Sequence, residues 1–299
     1  SHPIYERILR RLAVLLKDSD NLGSLLRPEK VLEKLIAEER RKADKEVLLL
    51  PGISLEQFKT QEGIEEFFDI LQEQILRYLD IFAKQSRGDG TDASHFVAET
   101  AKGLRFVRLI QERYDVVATN PPYIDSRDCN AVQKQFLEDN YPEAKRNLFS
   151  AFIQRATELV EHQGFIAMLS GQSFMFISSF EGLRGKLLGS IVIETLAQYD
   201  YHLFKERVDT AAFVLRREPD EQRRKVSRGV YFRLVRERNS EAKRLAFESA
   251  VTAQQANQGH PLVFHYAQEA FDAIPGKPWV YWMTKGILKL FLSCKLFEQ

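Results

Sequence analysis

Tyr114-Asp115-Val116-Val117-Ala118-Thr119-Asn120-Pro121-Pro122-Tyr123 is the stretch on which the reading of the fold turns. Residues 114–119 form a short apolar run of the kind a buried strand makes, and two prolines close it. A residue ahead of proline is pushed out of the helical region, and each proline fixes its own φ. The strand therefore runs directly into a stiff, extended ledge. With each residue type at roughly 5% usage, Asn-Pro-Pro-Tyr arises by chance in about one chain of this length in 500. In open α/β sheets ligands bind outside the carboxyl ends of strands, which is where such a ledge lies.

On either side the pattern alternates between helix and strand. It predicts a helix ending near Glu112, another from about Asn147 to Glu161, a short strand over 165–169 and a helix over 180–188. Leu148, Phe149, Phe152, Ile153, Ala156, Leu159 and Val160 recur on one face of the second helix. Three β-rich runs follow, 191–198, 210–215 and 230–235. The alternation predicts a mostly parallel α/β sheet whose later strands pair antiparallel. Residues 4 to about 85 carry apolar residues at helical spacing, as in Phe67, Ile70, Leu71, Ile75 and Leu76, and read as a helical arm. The arm is broken at Pro51-Gly52 and ended by the polar run 85–94. The domain reading is thus 1–90 as arm, 91–240 as the chemical part, and 241–299 as a helical tail or linker.

The balance of 43 Lys and Arg against 42 Asp and Glu leaves a formal charge of +1, so any surface for a polyanion must be local. The one local excess is 216–244, with 11 basic and 5 acidic residues. It reads either as a solvated charged hairpin or as a set of phosphate contacts through Arg216, Arg217, Arg223, Arg224, Lys225 and Arg228. Two cysteines make a disulfide framework implausible and suit a reducing cytoplasm. No apolar run reaches the roughly 18 residues of a membrane span, and the first residues show no signal-peptide pattern. The histidines at 95, 162, 202, 260 and 265 lack metal-ligand spacing, and no metal is expected.

The ledge has a definite chemistry. Asn120 offers a side-chain carbonyl, and Pro121 a backbone carbonyl with no N–H beside it. Two acceptors converging on one site suit an exocyclic amine, whose two N–H donors they hold while the nitrogen lone pair is aimed. Pro122 keeps the ledge extended, and Tyr123 offers an aromatic face to the ring that carries the amine. Catalysis on such a ledge is mainly positioning. Adenine in DNA, a guanine or adenine in RNA and a protein glutamine side chain all present a suitable amine.

The ledge and its flanks resemble the gamma-type adenine-N6 DNA methyltransferases of type IIG restriction–modification systems and the BREX phage-defence methylases. The resemblance covers roughly Leu79 to Phe291. It is carried by 114–123, by Asn-Leu-Phe-Ser-Ala-Phe-Ile at 147–153, by Gly-Phe-Ile-Ala-Met-Leu at 164–169, by 173–184 and by 203–215. It implies a class I methyltransferase-like (Rossmann-like) α/β sheet preceded by a helical arm, methyl transfer from S-adenosylmethionine to a flipped adenine, and double-stranded DNA as partner, with other restriction or defence subunits alongside. Carried over by residue, Asn120 and the Pro121 carbonyl hold the amino group and Tyr123 stacks on the base. Phe204 closes the other side of the base, and Phe149 lines the donor's adenine pocket, although its helical spacing also suits core packing. Residues 274–282 resemble the linker leading to a target-recognition domain.

The sequence also departs from the family. The Asp-Pro-x-x-Gly-x-Gly loop that binds the donor is absent from residues 1–119, and Gly88-Asp89-Gly90 lacks the apolar strand that should precede it. Together with a Ser1-His2-Pro3 start, this leads to the expectation of an incomplete sheet, an excised or decayed chain, and weak or no activity in isolation. The competing readings are a non-catalytic DNA-binding remnant and a protein-glutamine or RNA methyltransferase. Residues after Tyr123 do not resemble the glutamine methylases of release factors.

Overall fold

The computed structural model describes residues 22–27, 105–201, 208–284 and 286–289, with single positions at 30, 34, 70 and 73. Two compact units divide between Glu112 and Arg113. Most of the arm read over 1–90 lies outside the described residues, as do Gly88-Asp89-Gly90 and Phe204. Of the first unit the structure describes a 3-10 turn, Gly23–Leu25, in which Gly23 takes φ +49, and a helical stretch from Arg105.

The second unit is built on β1 (Tyr114–Thr119), α1 (Ala131–Asn140), α2 (Leu148–Leu159), β2 (Val160–Gly171), α3 (Glu181–Leu188), β3 (Ile191–Asp200) and β4 (Thr210–Arg217). It continues through α4 (Glu221–Val226), β5 (Arg228–Arg233), α5 (Ser240–Gln255), β6 (Val263–Ala267) and α6 (Glu269–Asp272). The strands form one six-stranded sheet in the order β1-β2-β4-β3-β5-β6. β1–β2 and β3–β5 pair parallel, whereas β2–β4, β3–β4 and β5–β6 pair antiparallel. The sheet is therefore mixed and broadly Rossmann-like, and the expectation of a mostly parallel sheet is corrected. Strand direction depends on pairing between distant segments, which local periodicity does not encode.

Cross-strand register explains how the faces are filled. Thr119, Met168, Phe213, Leu196, Tyr231 and Phe264 are successive partners and form one transverse row across all six strands. Met168, Phe213, Leu196 and Tyr231 in that row are all buried. Phe174 packs edge-on against Phe213, and Phe149 of α2 packs against Phe174, so this is the face α2 covers. Neighbouring residues in a strand point to the opposite face. There Ala197 and Phe232 meet Phe247 and Ala250 of α5. The sheet thus has helices on both faces.

Among the described residues β1 is an edge strand. Its only partner among the described residues is β2, and Val116, 57% exposed, sits in register with Phe165, 41% exposed. The segment 274–282, which by resemblance is a linker, is packed into the core. Trp279 and Tyr281 are fully buried, and Tyr281 stacks on Tyr231 with ring centres 4.5 Å apart. Arg184 of α3, also buried, clamps this segment by donating to the carbonyl of Gly276 at 2.8 Å, and to those of Phe174 and Ile177 at 2.9 and 2.7 Å. Residues 216–244 are not a hairpin. β4 and β5 both pair with β3, and α4 connects them. Among the described residues no helix is long and apolar enough to cross a membrane.

Candidate base-binding ledge

β1 ends at Thr119, in register with Met168, and Asn120 leaves the sheet at the edge where β2 also ends. The prolines supply no amide hydrogens, so the ledge cannot extend the ladder. Pro121 is buried, whereas Asn120 and Pro122 are exposed. Among the described residues no hydrogen bond outside the sheet ladder reaches the Pro121 carbonyl. The Tyr123 hydroxyl donates to Asn120 Oδ1 at 3.0 Å. An amide oxygen has two lone pairs, so this bond orients the Asn120 amide and leaves one acceptor position open. Partial burial raises the Tyr123 pKa, which keeps the hydroxyl a donor.

The chain after the ledge is tied back at once. The Leu148 amide donates to Ile124 O at 2.9 Å, Ser126 N donates to Arg146 O at 2.9 Å, and Asp125 and Asn147 form an isolated antiparallel bridge. Asn147 then caps α2, accepting from Phe149 N at 3.1 Å. The ledge is fixed between the end of one strand and the start of one helix.

Phe149 lies behind Tyr123, edge to face, with ring centres 6.2 Å apart. It is 3% exposed and ringed by Phe174 and Phe180 at 6.4 and 6.1 Å. A Cβ built on Gly171 would stand 2.9 Å from its Cε1, so the strand end reaches the ring only because position 171 is glycine. A ring enclosed on these sides offers no open face to a donor's adenine. The described residues around Phe149 therefore do not fit the adenine of S-adenosylmethionine.

The structure does not bring the basic residues of 216–228 to the ledge. Gly171 pairs with Thr210 at the ledge edge, and Arg217 closes the other end of β4. Seven residue steps at roughly 3.3 Å put the two ends roughly 23 Å apart. Their charges are also engaged locally. Arg216 bonds Glu194 at 2.6 Å, Glu218 at 2.9 Å and the Gln163 side-chain oxygen. Arg217 donates to Val160 O at 2.6 Å, and Arg224 to the carbonyls of Glu218 and Pro219 at 2.7 and 2.8 Å. Lys225 pairs with Glu221 at 2.5 Å and Arg223 with Asp220 at 3.9 Å. Arg228 opens β5, exposed, at that same edge.

A polar cluster that the sequence reading did not single out lies at the ledge edge. Gln172, just past β2, donates its backbone amide to Asp209 O at 3.0 Å and its side-chain amide to Asp200 Oδ1 at 3.4 Å. Burial, and then the charge and hydrogen bond of Asp200, raise the Asp209 pKa. Asp200 adopts φ +59, a left-handed conformation unusual for a residue other than glycine. Asp209 falls within the 203–215 run that carries the resemblance, which is the only signal the sequence held.

Three comparisons place the chain among known proteins. The family described as Eco57I restriction-modification methylase matches residues 9–204, more than half of the chain. Adenine-specific methyltransferase BrxX of Escherichia coli O9:H4 (strain HS) is 32% identical over 200 residues, covering 66% of this chain and 15% of that protein. Adenine-specific methyltransferase PglX of Lacticaseibacillus casei (strain Zhang) is 32% identical over 191 residues, covering 62% and 15%. The chain thus spans about 15% of the length of these curated relatives. Among solved structures, the type IIG restriction endonuclease BpuSI overlaps 58% of this chain and 21% of its own, at 16% identity and a TM-score of 0.41.

Proposed function

From the premise that the chain belongs to the Eco57I restriction-modification methylase family, we propose that its ledge holds the exocyclic amine of an adenine in DNA for N6 methylation. The observation that carries this reading is the Asn120-Pro121-Pro122-Tyr123 ledge at the carboxyl end of β1, with the Asn120 amide already oriented by the Tyr123 hydroxyl. The base must leave the stack to reach it. The open lone pair of Asn120 Oδ1 and the Pro121 carbonyl accept the two N–H bonds of the amine. Held this way, the nitrogen lone pair points away from both acceptors, and the proton it later sheds goes to water without a tuned base. Tyr123 gives the ring an aromatic face, and Phe204 a second one. S-adenosylmethionine is the methyl source the reaction calls for.

In this reading residues 91–240 carry the base-holding part, 1–90 an arm, and 241–299 lead toward a target-recognition domain, with restriction or defence-system subunits as partners. The enclosure of Phe149 favours a second reading for the isolated chain, in which it binds DNA without transferring a methyl group.

Calorimetric titration with S-adenosylmethionine, combined with methyl transfer to an adenine-containing duplex by wild type and Asn120→Ala, separates the two. Donor binding and transfer that vanishes in Asn120→Ala support the enzyme. Duplex binding without donor binding or transfer supports the second reading. Transfer that survives Asn120→Ala removes the ledge from the reaction.

A further inference from the structure

With the 216–228 cations at the far edge of the sheet, attention falls on the loop that follows the ledge. Asp125, two residues after Tyr123, anchors two arginines. Its Oδ1 accepts from the Arg127 backbone amide at 2.9 Å and from Arg127 Nε at 3.0 Å, and its Oδ2 lies 3.7 Å from Arg146 Nε. Those bonds from Arg127 hold the Asp125 carboxyl below the usual carboxylate range, so it stays an anion. The isolated Asp125–Asn147 bridge fixes Asp125 beside Arg146, on the two chain segments that meet just beyond Tyr123. Lys134 donates to the Arg127 carbonyl at 2.9 Å and adds a third cation, while Asp128 is a second carboxylate close by.

The arginine side chains stay open, 75% exposed at Arg127 and 51% at Arg146. A guanidinium carries five N–H donors, and Asp125 engages mainly the inner Nε of each. Arg127 Nη2 also reaches Asp125 Oδ2 at 3.5 Å, and the other exposed guanidinium N–H groups have the forked geometry that fits a phosphate. An enzyme that extracts a base must hold the backbone on either side of it, and phosphate contacts set position while base contacts set identity.

We propose that Arg127 and Arg146, aimed by Asp125, grip the DNA backbone phosphates that flank the base held at Asn120–Tyr123. The proposal rests on the DNA reading above and adds the residues that register the strand on the ledge. It also assigns to this loop the contacts that charge density in the sequence assigns to 216–228.

The test is the salt dependence of binding to an adenine-containing duplex, read by fluorescence anisotropy with no methyl donor present. Three proteins are compared: wild type, Arg127→Ala/Arg146→Ala, and Arg223→Ala/Lys225→Ala, which removes two charges at the opposite edge. Losing two phosphate contacts is expected to reduce the slope of log affinity against log salt by about 2. The opposite-edge pair is expected to leave it unchanged. An unchanged slope in the first pair, or equal falls in both, overturns the proposal. If the alanine pair fails to fold, Arg127→Gln/Arg146→Gln keeps a donor to Asp125 without the charge and is read the same way. Wild type that binds no DNA overturns both this proposal and the DNA reading, whereas wild-type binding with an unmoved slope overturns this one alone.

Discussion

Asn120 spends one acceptor position on Tyr123 and keeps the other, so in the proposed reaction the phenol would act on the substrate amine through the amide it orients. Tyr123→Phe retains the ring face and loses that orientation. One neutral hydrogen bond is worth about 1 kcal/mol, so methyl transfer is expected to fall about fivefold. Asn120→Ala should cost at least about 100-fold, the scale seen when a preorganised hydrogen-bonding group aimed at a transition state is removed. Equal losses in steady-state rates would show that Tyr123 does more than orient. Gly171 is the other residue with no slack, because a Cβ there would stand 2.9 Å from Phe149. Overpacking costs roughly 1–3 kcal/mol. Gly171→Ala should lower stability by that amount in denaturant melts, and an unchanged midpoint would mean the ring yields freely. The ledge residues were legible because two consecutive prolines leave the backbone little choice. Phe149 was ambiguous for a physical reason: the helical spacing that brings a residue beneath a site is the spacing that fills a core.

At the scale of elements, α2 was read nearly whole, since a continuous apolar stripe runs along it and Asn147 caps it. α3, expected over 180–188, forms over Glu181–Leu188, whereas α1 and α5 did not announce themselves. α1 buries only Leu137, and α5 only Lys243 and Ala250, so both are polar almost all round and carry weak periodicity. Capping held the missing signal, as Asn130 and Gln133 form a reciprocal capping box at the start of α1. β2 extends to 12 residues where the apolar pattern marked five, because its first half, with exposed Glu161, His162 and Gln163, carries no alternation to read. The turn after β4 has a pH signature. Hydrogen bonds from the Gln163 side chain, the Asp220 amide and Arg216 draw the Glu218 carboxyl down to about 2. Since the folded value lies below that of an exposed glutamate, roughly 4.3, unfolding takes up a proton in acid. The stabilisation is full above that value and is lost as the pH falls toward about 2. Wild type is therefore expected to lose melting temperature across this window more steeply than Glu218→Gln, and parallel acid limbs in circular-dichroism melts would count against the assignment.

Seen whole, the second unit sets its arginine-rich turn at the edge of the sheet away from the ledge. The ledge, the Gln172–Asp200–Asp209 cluster and the loop bearing Arg127 gather at one edge of the sheet, and the arginine-rich turn gathers at the other. Sequence reading could count the cations of 216–228 but could not know that β4 runs antiparallel to β2, which is what carries them away from Asn120. The strand that bears the ledge is also the last strand of the sheet among the described residues. The Val116–Phe165 pair on this strand and its neighbour presents an exposed apolar surface. The colloidal behaviour of the chain follows from this. In concentrated solution this apolar surface draws copies together, so light scattering should rise with concentration and fall in Val116→Lys, whose charge breaks the patch. Scattering indifferent to that lysine would place the adhesive surface elsewhere. If the lysine does suppress it, the ledge and the chain's tendency to aggregate share one strand, and dilution alone would free ledges that crowding keeps occluded.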